Sequence, residues 1–369
     1  MHIVFAPDSF KGSATATQVA SALAGGWASV RHDDDLRMMP MADGGEGTLE
    51  AFETAVPGAK RMPITVTGPD GRPVDTFWLL LPATDVRPNG TGVVELACTS
   101  GITLLHPLQP AHAHTLGFGQ AIAAALEHGV SELLLGIGGS SSTDGGAGAL
   151  AALGARLLDR AGHEIRPGNA GLAELASVDL GGMRALPPFG ARILSDVTNP
   201  LLGTLGAAAV FGPQKGADAD LVGELEANLT RLAPLLPADA GAPGAGAAGG
   251  TGFGLLAWGA ELAPGSDAVG DALGLPAAVA VADVVVSGEG RFDTQSAAGK
   301  VPAYVAGLAA ASGASAMLVA GSIAAPTGEF VAARSLVDLA GGLDGALADP
   351  LRWLAAAGAE LAAGVQPAA

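Results

Sequence analysis

HIVFAPDSFKGSATATQVASALAGGWASV, residues 2–30, contains the pattern that decides the fold of this chain. A mostly apolar run, His2–Ala6, stops abruptly at a loop of small and polar residues. A helical pattern over Ala16–Val30 follows that loop. Continuous apolar runs of this length are typical of strands buried on both faces of a sheet. The stretch therefore predicts one strand–loop–helix unit.

The same order of strand, polar loop and helix recurs along the chain. Further helical patterns cover Thr48–Ala55 and Ala147–Leu158. Short apolar runs predict six more strands: Leu36–Met41, Val93–Leu96, Leu133–Ile137, Arg192–Leu194, Val284–Val286 and Ala316–Ala320. Strands that alternate with helices indicate an α/β fold built on parallel strands. In open sheets of this kind, ligands bind in the crevice at the carboxyl ends of the strands.

Residues 62–82 interrupt this pattern. Two strand-like runs there flank a Pro-Asp-Gly sequence, which is a strong turn signal, and together they predict an antiparallel hairpin. Residues 234–250 are rich in Pro, Gly and Ala and predict a loop or hinge. We therefore expect two α/β domains. Residues 1–61 and 283–369 form a discontinuous parallel-sheet domain, and residues 62–282 form a mixed-sheet domain inserted into it.

The composition narrows the possible functions. The chain has 369 residues and a net charge of -18, so a nucleic-acid partner, which requires a basic face, is not expected. Hydrophobic residues make up 49% and charged residues 15%, which argues against a disordered chain. Cys98 is the sole cysteine, which excludes an internal disulfide. Because no signal-peptide or membrane-spanning pattern is found, we expect a cytoplasmic protein that does not enter a membrane.

Lysine is scarce, and its positions are informative. The chain has four lysines against fourteen arginines. Lys11, Lys215 and Lys300 lie in loops of small residues, whereas Lys60 lies beside the expected domain boundary. A compact and flexible ammonium group suits a phosphate group. These loops therefore predict contacts with an anionic substrate.

Five aspartates follow predicted strands or lie in the loops behind them: Asp8, Asp43, Asp144, Asp196 and Asp293. If they converge on one crevice, they repel one another and an anionic substrate. Mg²⁺ resolves this conflict because it binds carboxylate and phosphate oxygens together. A remaining carboxylate is then available to accept a proton from a substrate hydroxyl. The alternative interpretation of each aspartate is a helix cap or a turn residue.

The loop of residues 138–143 follows a predicted strand and precedes a Gly-rich helix. Its N–H and hydroxyl groups are suited to cradle phosphate oxygens, although Ser/Thr loops also serve as helix caps. Gly299-Lys300 lacks the other residues of a P-loop. Residues 244–249 match the GxGxxG pattern, but they follow a Pro-rich segment rather than a strand, so no nicotinamide site is expected. A serine hydrolase is not expected either, because a GxSxG motif is absent.

Seven segments match a known family in their order along the chain: APDSFKGS, MADGGEGT, IGGSSSTDGG, SDVTNPLLG, FGPQKGA, PGAGAAGG and SGEGRFDTQSAAGKVP. They resemble the bacterial glycerate kinases of the type I family. The resemblance runs from residue 1 to at least residue 328, and its motifs are long and specific. It implies two α/β domains, one of them flavodoxin-like, with the active site in the cleft between them.

The resemblance also implies a reaction. A protein of this family phosphorylates D-glycerate with ATP and Mg²⁺, usually at the 2-hydroxyl to give 2-phosphoglycerate. Phosphorylation of the 3-hydroxyl, and a nonenzymatic protein that binds small acids, are the alternatives. Monomer and homodimer are both compatible with the sequence.

Site residues follow from matching these motifs to the chain. The expected catalytic residues are Lys11, Asp43, Asp196 and Lys215, with Asp43 as a candidate base and Asp196 and Asp293 as metal ligands. Glycerate is expected to contact Asp8, Ser9, Gly44, Gly45, Glu46 and Asn199. ATP and its phosphates are expected to contact Gly138, Gly139, Ser140, Ser141, Thr143, Asp144, Gly288 and Lys300.

One motif departs from the family. The family usually reads GGSATNDGG, whereas this chain has Ser142 in place of Thr and Thr143 in place of Asn. Both replacements keep a polar group, and the second shortens an amide to a hydroxyl. The geometry of this loop is therefore expected to differ in detail while the reaction stays the same.

Overall fold

The computed structural model describes residues 1–294 and 300–365. The chain divides into two compact units. Unit 1 comprises Met1–Asp43, Glu50–Pro57 and the chain from Gly265 onwards. Unit 2 comprises Gly44–Leu49 and Gly58–Pro264. In the described part of the chain, no helix is both long and apolar enough to cross a membrane.

The strands are numbered in chain order. They are β1 (His2–Pro7), β2 (Asp35–Met38), β3 (Lys60–Thr67), β4 (Pro73–Leu81), β5 (Thr91–Glu95), β6 (Glu132–Gly136), β7 (Arg156–Leu158), β8 (Ser177–Asp179), β9 (Ala191–Leu194), β10 (Glu261–Ala263), β11 (Val284–Phe292), β12 (Ser315–Ile323) and β13 (Ala332–Ser335).

The helices are numbered in the same way. They are α1 (Ala16–Ala28), α2 (Thr48–Ala55), α3 (Ala97–Ser100), α4 (Leu116–His128), α5 (Ala147–Ala152), α6 (Asn169–Leu172), α7 (Ala207–Phe211), α8 (Ala219–Leu232), α9 (Ala247–Trp258), α10 (Gly265–Leu273), α11 (Leu275–Val279), α12 (Val301–Ser312), α13 (Leu336–Ala340), α14 (Leu343–Ala348) and α15 (Pro350–Gly364). Short 3₁₀ turns cover Ile102–Leu104, Pro213–Lys215 and Ala233–Leu235.

Unit 1 contains a five-stranded sheet with the order β13-β12-β11-β1-β2. All of its strand pairs are parallel. Counted within the unit, the order is 2-1-3-4-5, which is the flavodoxin order. The flavodoxin-like prediction is confirmed. The strand order reverses between β1 and β11, and in such sheets ligands bind at the carboxyl ends of the strands at this switch point.

Helix α1 shows how the local sequence builds unit 1. A capping box formed by Thr15 and Gln18 starts the helix. Trp27 is fully buried and lies edge-on to Phe5 of β1, with ring centroids 5.9 Å apart. Gly26 lies directly against the backbone of Ala355 in α15, where a Cβ atom would collide. Small residues at this contact therefore let the two helices pack closely.

Unit 2 contains a six-stranded sheet with the order β10-β9-β6-β5-β4-β3. The pairs β3–β4 and β4–β5 are antiparallel, and the remaining pairs are parallel. The predicted hairpin and the mixed sheet are therefore confirmed. The central strands β5 and β6 are buried along their whole length. Strands β7 and β8 form a separate antiparallel pair.

Two local predictions are wrong. The run Leu36–Met41 was expected to be a strand buried on both faces, but β2 ends at Met38 and is largely exposed because it is the edge of its sheet. The helix expected over Ala147–Leu158 ends at Ala152. Gly154 follows with a φ of +108°, which turns the chain into β7.

The two units differ from the expected domains in two segments, besides a shift of the first boundary from residue 61 to Pro57. The chain returns to unit 1 at Gly265 rather than at residue 283, because α10 and α11 pack against α12. In this contact the Tyr304 hydroxyl donates to a carboxylate oxygen of Asp271 at 3.2 Å. The second difference is that Gly44–Leu49, in the middle of the MADGGEGT motif, belongs to unit 2.

Candidate active site

Asp8 lies at the carboxyl end of β1, at the switch point of the unit 1 sheet. Its N–H group donates to the carbonyl of Gly288 in β11 at 2.8 Å. Its carboxylate accepts the N–H group of Ser9 at 2.6 Å. Gly288 has no room for a side chain, since a Cβ atom there would collide with the carbonyl oxygen of Val319. Asp8, Ser9 and Gly288 therefore meet at the position that the fold predicts for ligand binding.

Lys11 and Asp43 form an ion pair in unit 1. The Lys11 Nζ atom lies 3.6 Å from the Asp43 Oδ2 atom. The lysine side chain is 72% exposed, so its ammonium can still reach a ligand in solution, whereas the Asp43 side chain is 22% exposed. The Asp43 carboxylate raises the pKa of Lys11 most, and the carboxylates of Asp8 and Glu289 raise it further, so the lysine stays charged.

Glu289 in β11 is a fourth member of this group and is 6% exposed. Burial raises the pKa of Asp8 to about 7, and the carboxylates of Asp43 and Glu289 act in the same direction. The Ser9 N–H group and the Lys11 ammonium oppose the rise. We call Asp8, Lys11, Asp43 and Glu289 the acid–lysine cluster. Sequence reasoning missed Glu289, although it lies within the SGEGRFD motif.

Two further predicted residues of unit 1 lie after β11. The Asp293 carboxylate is 3.5 Å from the Arg291 Nε atom. Lys300 is half-buried and immediately precedes α12, where its carbonyl accepts the N–H group of Tyr304 at 3.1 Å. Residues 295–299 of the same motif lie outside the described part of the chain.

Lys215 of unit 2 is only 2% exposed. Its Nζ atom donates to the Ser140 hydroxyl at 2.8 Å and to the carbonyl oxygen of Ser142. Burial lowers the pKa of Lys215 to about 7, and Asp144 acts in the opposite direction. The ammonium group therefore lies beneath the Gly138–Thr143 loop and holds it by two contacts.

Asp144 ends this loop and is fully buried. Its carboxylate accepts the N–H and hydroxyl groups of Thr115, both at 2.9 Å. It also accepts the N–H groups of Gly146 and Gly148, both at 3.2 Å. The hydrogen bonds of this carboxylate are thus made inside the protein, and they fix the start of α5.

The start of the loop is also tied to neighbouring segments. The N–H group of Gly138 donates to the carbonyl of Gly44 at 3.0 Å. Gly139 has a φ of +73°, and its carbonyl accepts the N–H group of Ile102 at 2.9 Å. Ser141 donates both its hydroxyl, at 2.8 Å, and its N–H group, at 3.2 Å, to the carbonyl of Ser100.

The two residues that depart from the family motif lie at the centre of the loop. Ser142 and Thr143 are both fully buried. Within residues 1–294 and 300–365, neither hydroxyl has a hydrogen-bond partner. Buried hydroxyls without partners are costly, so these two side chains lower the stability of the loop.

A left-handed segment supports the loop from the other side. Ala248, Gly249 and Gly250 all have positive φ angles, between 54° and 86°. The Gly249 carbonyl accepts the N–H group of Gly145 at 3.0 Å. A Cβ atom on Gly249 would lie 2.8 Å from the Lys215 Nζ atom and would collide with the Ser142 carbonyl oxygen. Here the glycines of residues 244–249 serve close backbone packing, which the GxGxxG pattern alone did not indicate.

The remaining predicted residues of unit 2 lie in two loops. Gly44 has a φ of +88°, Gly45 accepts the hydroxyl of Thr48 at 2.7 Å, and Glu46 is exposed. Asp196 and Asn199 follow β9 and are both partly buried. The Asn199 side chain donates to the carbonyl of Leu205 at 2.8 Å.

The described residues contain no group of three or more His, Cys, Asp or Glu side chains arranged to hold a metal ion. Mg²⁺ often binds proteins through one or two carboxylates together with substrate phosphates. The partly buried Asp196 fits such a role, whereas the Asp293 carboxylate already lies beside the Arg291 guanidinium.

Comparison with known proteins identifies the family. The model of the glycerate kinase family matches residues 3–366. The chain belongs to the glycerate kinase family. Members of this family are kinases, so the protein is an enzyme that transfers a phosphoryl group from ATP to an alcohol acceptor, glycerate.

Individual relatives agree with this assignment. The chain is 42% identical to the glycerate kinase of Bacillus subtilis, over 88% of this chain and 85% of the relative. It is also 42% identical to the glycerate 2-kinase of Escherichia coli K12, over 84% of this chain and 82% of the relative. A crystal structure from Salmonella typhimurium LT2 that carries the name glycerate kinase 2 matches with a TM-score of 0.84 and 40% identity, over 98% of this chain and 97% of the other.

Proposed function

We propose that the protein phosphorylates the 2-hydroxyl of D-glycerate, giving 2-phosphoglycerate. The observation that supports this most directly is the acid–lysine cluster at the switch point of a flavodoxin-like sheet, in a chain of the glycerate kinase family. The choice of hydroxyl rests on the relative from E. coli, which is named a glycerate 2-kinase.

Asp8 is the proposed proton acceptor. A general base works best when its pKa lies near the working pH, and burial together with Asp43 raises the pKa of Asp8 to about 7. The sequence alone favoured Asp43 as base. In the structure Asp43 pairs with Lys11, so we assign Asp43 to holding that ammonium near the substrate.

Lys11 is the proposed partner of the glycerate carboxylate. Its ammonium remains largely exposed and charged, as binding of a small anion requires. Ser9 is the other residue of unit 1 that we propose for glycerate, through its hydroxyl group. In unit 2 the proposed glycerate residues are Gly44 and Gly45 with N–H groups, Asn199 with its amide, and Glu46 as an acceptor.

The loop Gly138–Thr143 is the proposed site for ATP phosphates in unit 2, and Gly288 and Lys300 are the residues of unit 1 that we propose for ATP. Backbone N–H groups of glycine and serine loops stabilise phosphate oxygens, and the buried charge of Lys215 beneath this loop adds to the effect. Asp144 and Ser141 are assigned to the shape of the loop, because their hydrogen bonds are made within the protein.

Mg²⁺ is the proposed metal, with Asp196 as the candidate ligand in unit 2 and Asp293 as the candidate ligand in unit 1. When bound, the ion would neutralise charge on the phosphates of ATP. Binding of Mn²⁺ in the presence of ADP, followed by electron paramagnetic resonance, tests this assignment without turnover. Asp196→Asn should weaken the Mn²⁺ signal of the complex, and an unchanged signal would remove Asp196 from the metal site.

The activity is tested by incubating the protein with ATP, Mg²⁺ and D-glycerate and recording phosphorus NMR spectra. We expect 2-phosphoglycerate as product. A 3-phosphoglycerate signal would overturn the choice of hydroxyl. Glycerate binding without release of ADP would instead indicate a nonenzymatic binding protein.

A further inference from the structure

Glu95 is a buried carboxylate that sequence reasoning did not select. It is the last residue of β5, lies next to Gly136 of β6 in the parallel register, and is 2% exposed. A buried carboxylate without partners is strongly unfavourable. The hydrogen-bond partners of Glu95 therefore indicate its role in the structure.

Those hydrogen bonds go to the DGGEGT segment. One carboxylate oxygen of Glu95 accepts the N–H group of Leu49 at 2.9 Å, and the other accepts the N–H group of Gly47 at 3.3 Å. Both N–H groups belong to the start of α2, where backbone donors have no partner within the helix. The Cys98 thiol donates to the second oxygen at 3.3 Å and thereby orients the carboxylate.

The segment that Glu95 holds is packed tightly on the sheet. A Cβ atom on Gly138 would collide with the Cα atom of Gly45, and one on Gly136 would lie 3.0 Å from the carbonyl oxygen of Gly44. Residues 44–46, which the proposed function assigns to glycerate, therefore lie between the end of β6 and the N–H groups that Glu95 fixes. Gly47 follows Glu46 directly in the chain, so the hydrogen bond that fixes Gly47 also restricts these residues.

We infer that Glu95 is a positioning residue for glycerate, which holds the Gly44–Glu46 segment in its binding conformation through the N–H groups of Gly47 and Leu49. The inference rests on the proposed function, since that function assigns the segment to glycerate. Because Glu95 is buried, we assign it an action through these N–H groups rather than on the substrate itself. Its effect should therefore fall on glycerate binding and leave ATP binding unaltered.

The substitution Glu95→Gln tests this inference. Glutamine keeps one oxygen acceptor but places an NH₂ donor against the other N–H group, so one of the two backbone hydrogen bonds is lost. We expect KM for glycerate to rise about tenfold, with KM for ATP and kcat changed less than about twofold. An unchanged KM for glycerate, or an equal rise in both KM values, would overturn the inference.

Glu132→Gln is the matched control. Glu132 is also a buried glutamate of the same sheet, 4% exposed, but it lies at the other end of β6 and pairs with Arg87 and Arg192. This substitution should lower the melting temperature and leave both KM values unchanged. If Glu132→Gln raised KM for glycerate as much as Glu95→Gln does, the effect would be one of general stability, and the inference would fail.

Hydrogen exchange gives a second measurement that does not depend on turnover. The amides of Gly47 and Leu49 should exchange at least about tenfold faster in Glu95→Gln, while those of Leu133–Leu135 in β6 keep their protection. If Glu95→Gln does not fold, Cys98→Ala is the milder variant and should accelerate the same two amides. Equal exchange in variant and parent would overturn the inference even if the protein proves to phosphorylate another substrate.

Discussion

At the scale of single residues, burial shifts the pKa values of two titratable groups of the candidate site, Asp8 and Lys215. Asp8 is a carboxylate beside two others, and Lys215 is an ammonium removed from water. The pKa values of both groups therefore lie closer to neutral pH than those of the free side chains. When either group is charged, its burial makes the folded protein less stable than a neutral side chain at that position would.

Asp8→Asn should abolish turnover and stabilise the protein at pH 8. The pKa of Asp8 is raised from 3.8 to about 7, so stability from its protonation is present below pH 3.8 and is lost as the pH rises through about 7. At pH 8 the asparagine variant should gain roughly 1–3 kcal/mol in the free energy of unfolding, because it no longer keeps a partly buried charge there. Urea unfolding of the variant and the parent at pH 8 measures this difference in the free energy of unfolding.

The control for this prediction is Asp33→Asn, because Asp33 is a surface aspartate of unit 1 with a side chain that is 91% exposed. It should change neither turnover nor stability. A variant Asp8→Asn that keeps near-parental turnover, while Asp43→Asn loses it, would return the role of base to Asp43.

Lys215→Met should lower kcat by about a hundredfold, since the charge beneath the phosphate loop is removed. The pKa of Lys215 is lowered from 10.5 to about 7, so the stability linked to this group is present above pH 10.5 and is lost as the pH falls through about 7. The parent should therefore gain stability relative to Lys215→Met between pH 7 and 9.5. Urea unfolding at both pH values checks the sign.

Lys60→Met is the corresponding control, because Lys60 is an exposed lysine at the start of β3. It should keep the parental kcat. A parent that loses stability relative to Lys215→Met as the pH rises would show that Lys215 is not a desolvated ammonium.

At the scale of elements, the candidate site depends on backbone conformations that few residues adopt. The segment Ala248–Gly250 has three successive left-handed residues at the start of α9, and it lies against Ser142, Gly145 and Lys215. Glycine adopts such conformations without steric cost and also leaves room for the neighbouring backbone. The loop and this segment therefore constrain each other.

Gly249→Ala should destabilise the protein by roughly 2–4 kcal/mol and reduce turnover, because the new methyl group collides with the loop and disfavours the φ of +67°. Thermal unfolding and an ADP-release assay measure both effects. Gly223→Ala is the matched control: nothing lies within 4 Å of a Cβ atom there, so alanine should stabilise α8 by roughly 0.5–1 kcal/mol. Similar effects of the two substitutions would contradict the proposed contact.

At the scale of the whole molecule, charge is the dominant global property. The chain carries 36 acidic and 18 basic residues. This excess of negative charge destabilises the folded state through self-repulsion. It also repels anionic substrates from most of the surface. Substrate anions must therefore be held by local cations and N–H groups of the kind found in both units.

Added salt should raise the melting temperature at pH 8 by a few degrees between 10 and 200 mM NaCl, because the repulsion is screened over about 10 Å. The same salt step at pH 4.6, near the isoelectric point, should have little effect. Differential scanning calorimetry at both pH values measures this. A salt effect of equal size at pH 4.6 would show that ion binding rather than screening is responsible.

Much of this protein could be predicted from its sequence, because the deciding signals are local. Buried parallel strands have a continuous apolar pattern, and a turn sequence such as that of residues 69–71 fixes a hairpin wherever it lies. The motif loops could be placed after strands for the same reason. The aspartates and scarce lysines could thus be selected as candidate site residues from their positions along the chain, and their roles stay predictions.

What only the tertiary structure decided is the environment of those residues. The sequence does not show that Lys215 is buried while Lys11 is exposed. It also does not show that hydrogen bonds enclose Asp144. The interactions of Glu95 with Leu49 and of Glu289 with Asp8 join residues that are far apart along the chain. The sequence likewise does not show that Gly154, which follows α5 with a φ of +108°, lies against the backbone of Gly182. Desolvation and contact depend on neighbours that are far apart in sequence, whereas the strand and turn signals depend on neighbours that are adjacent.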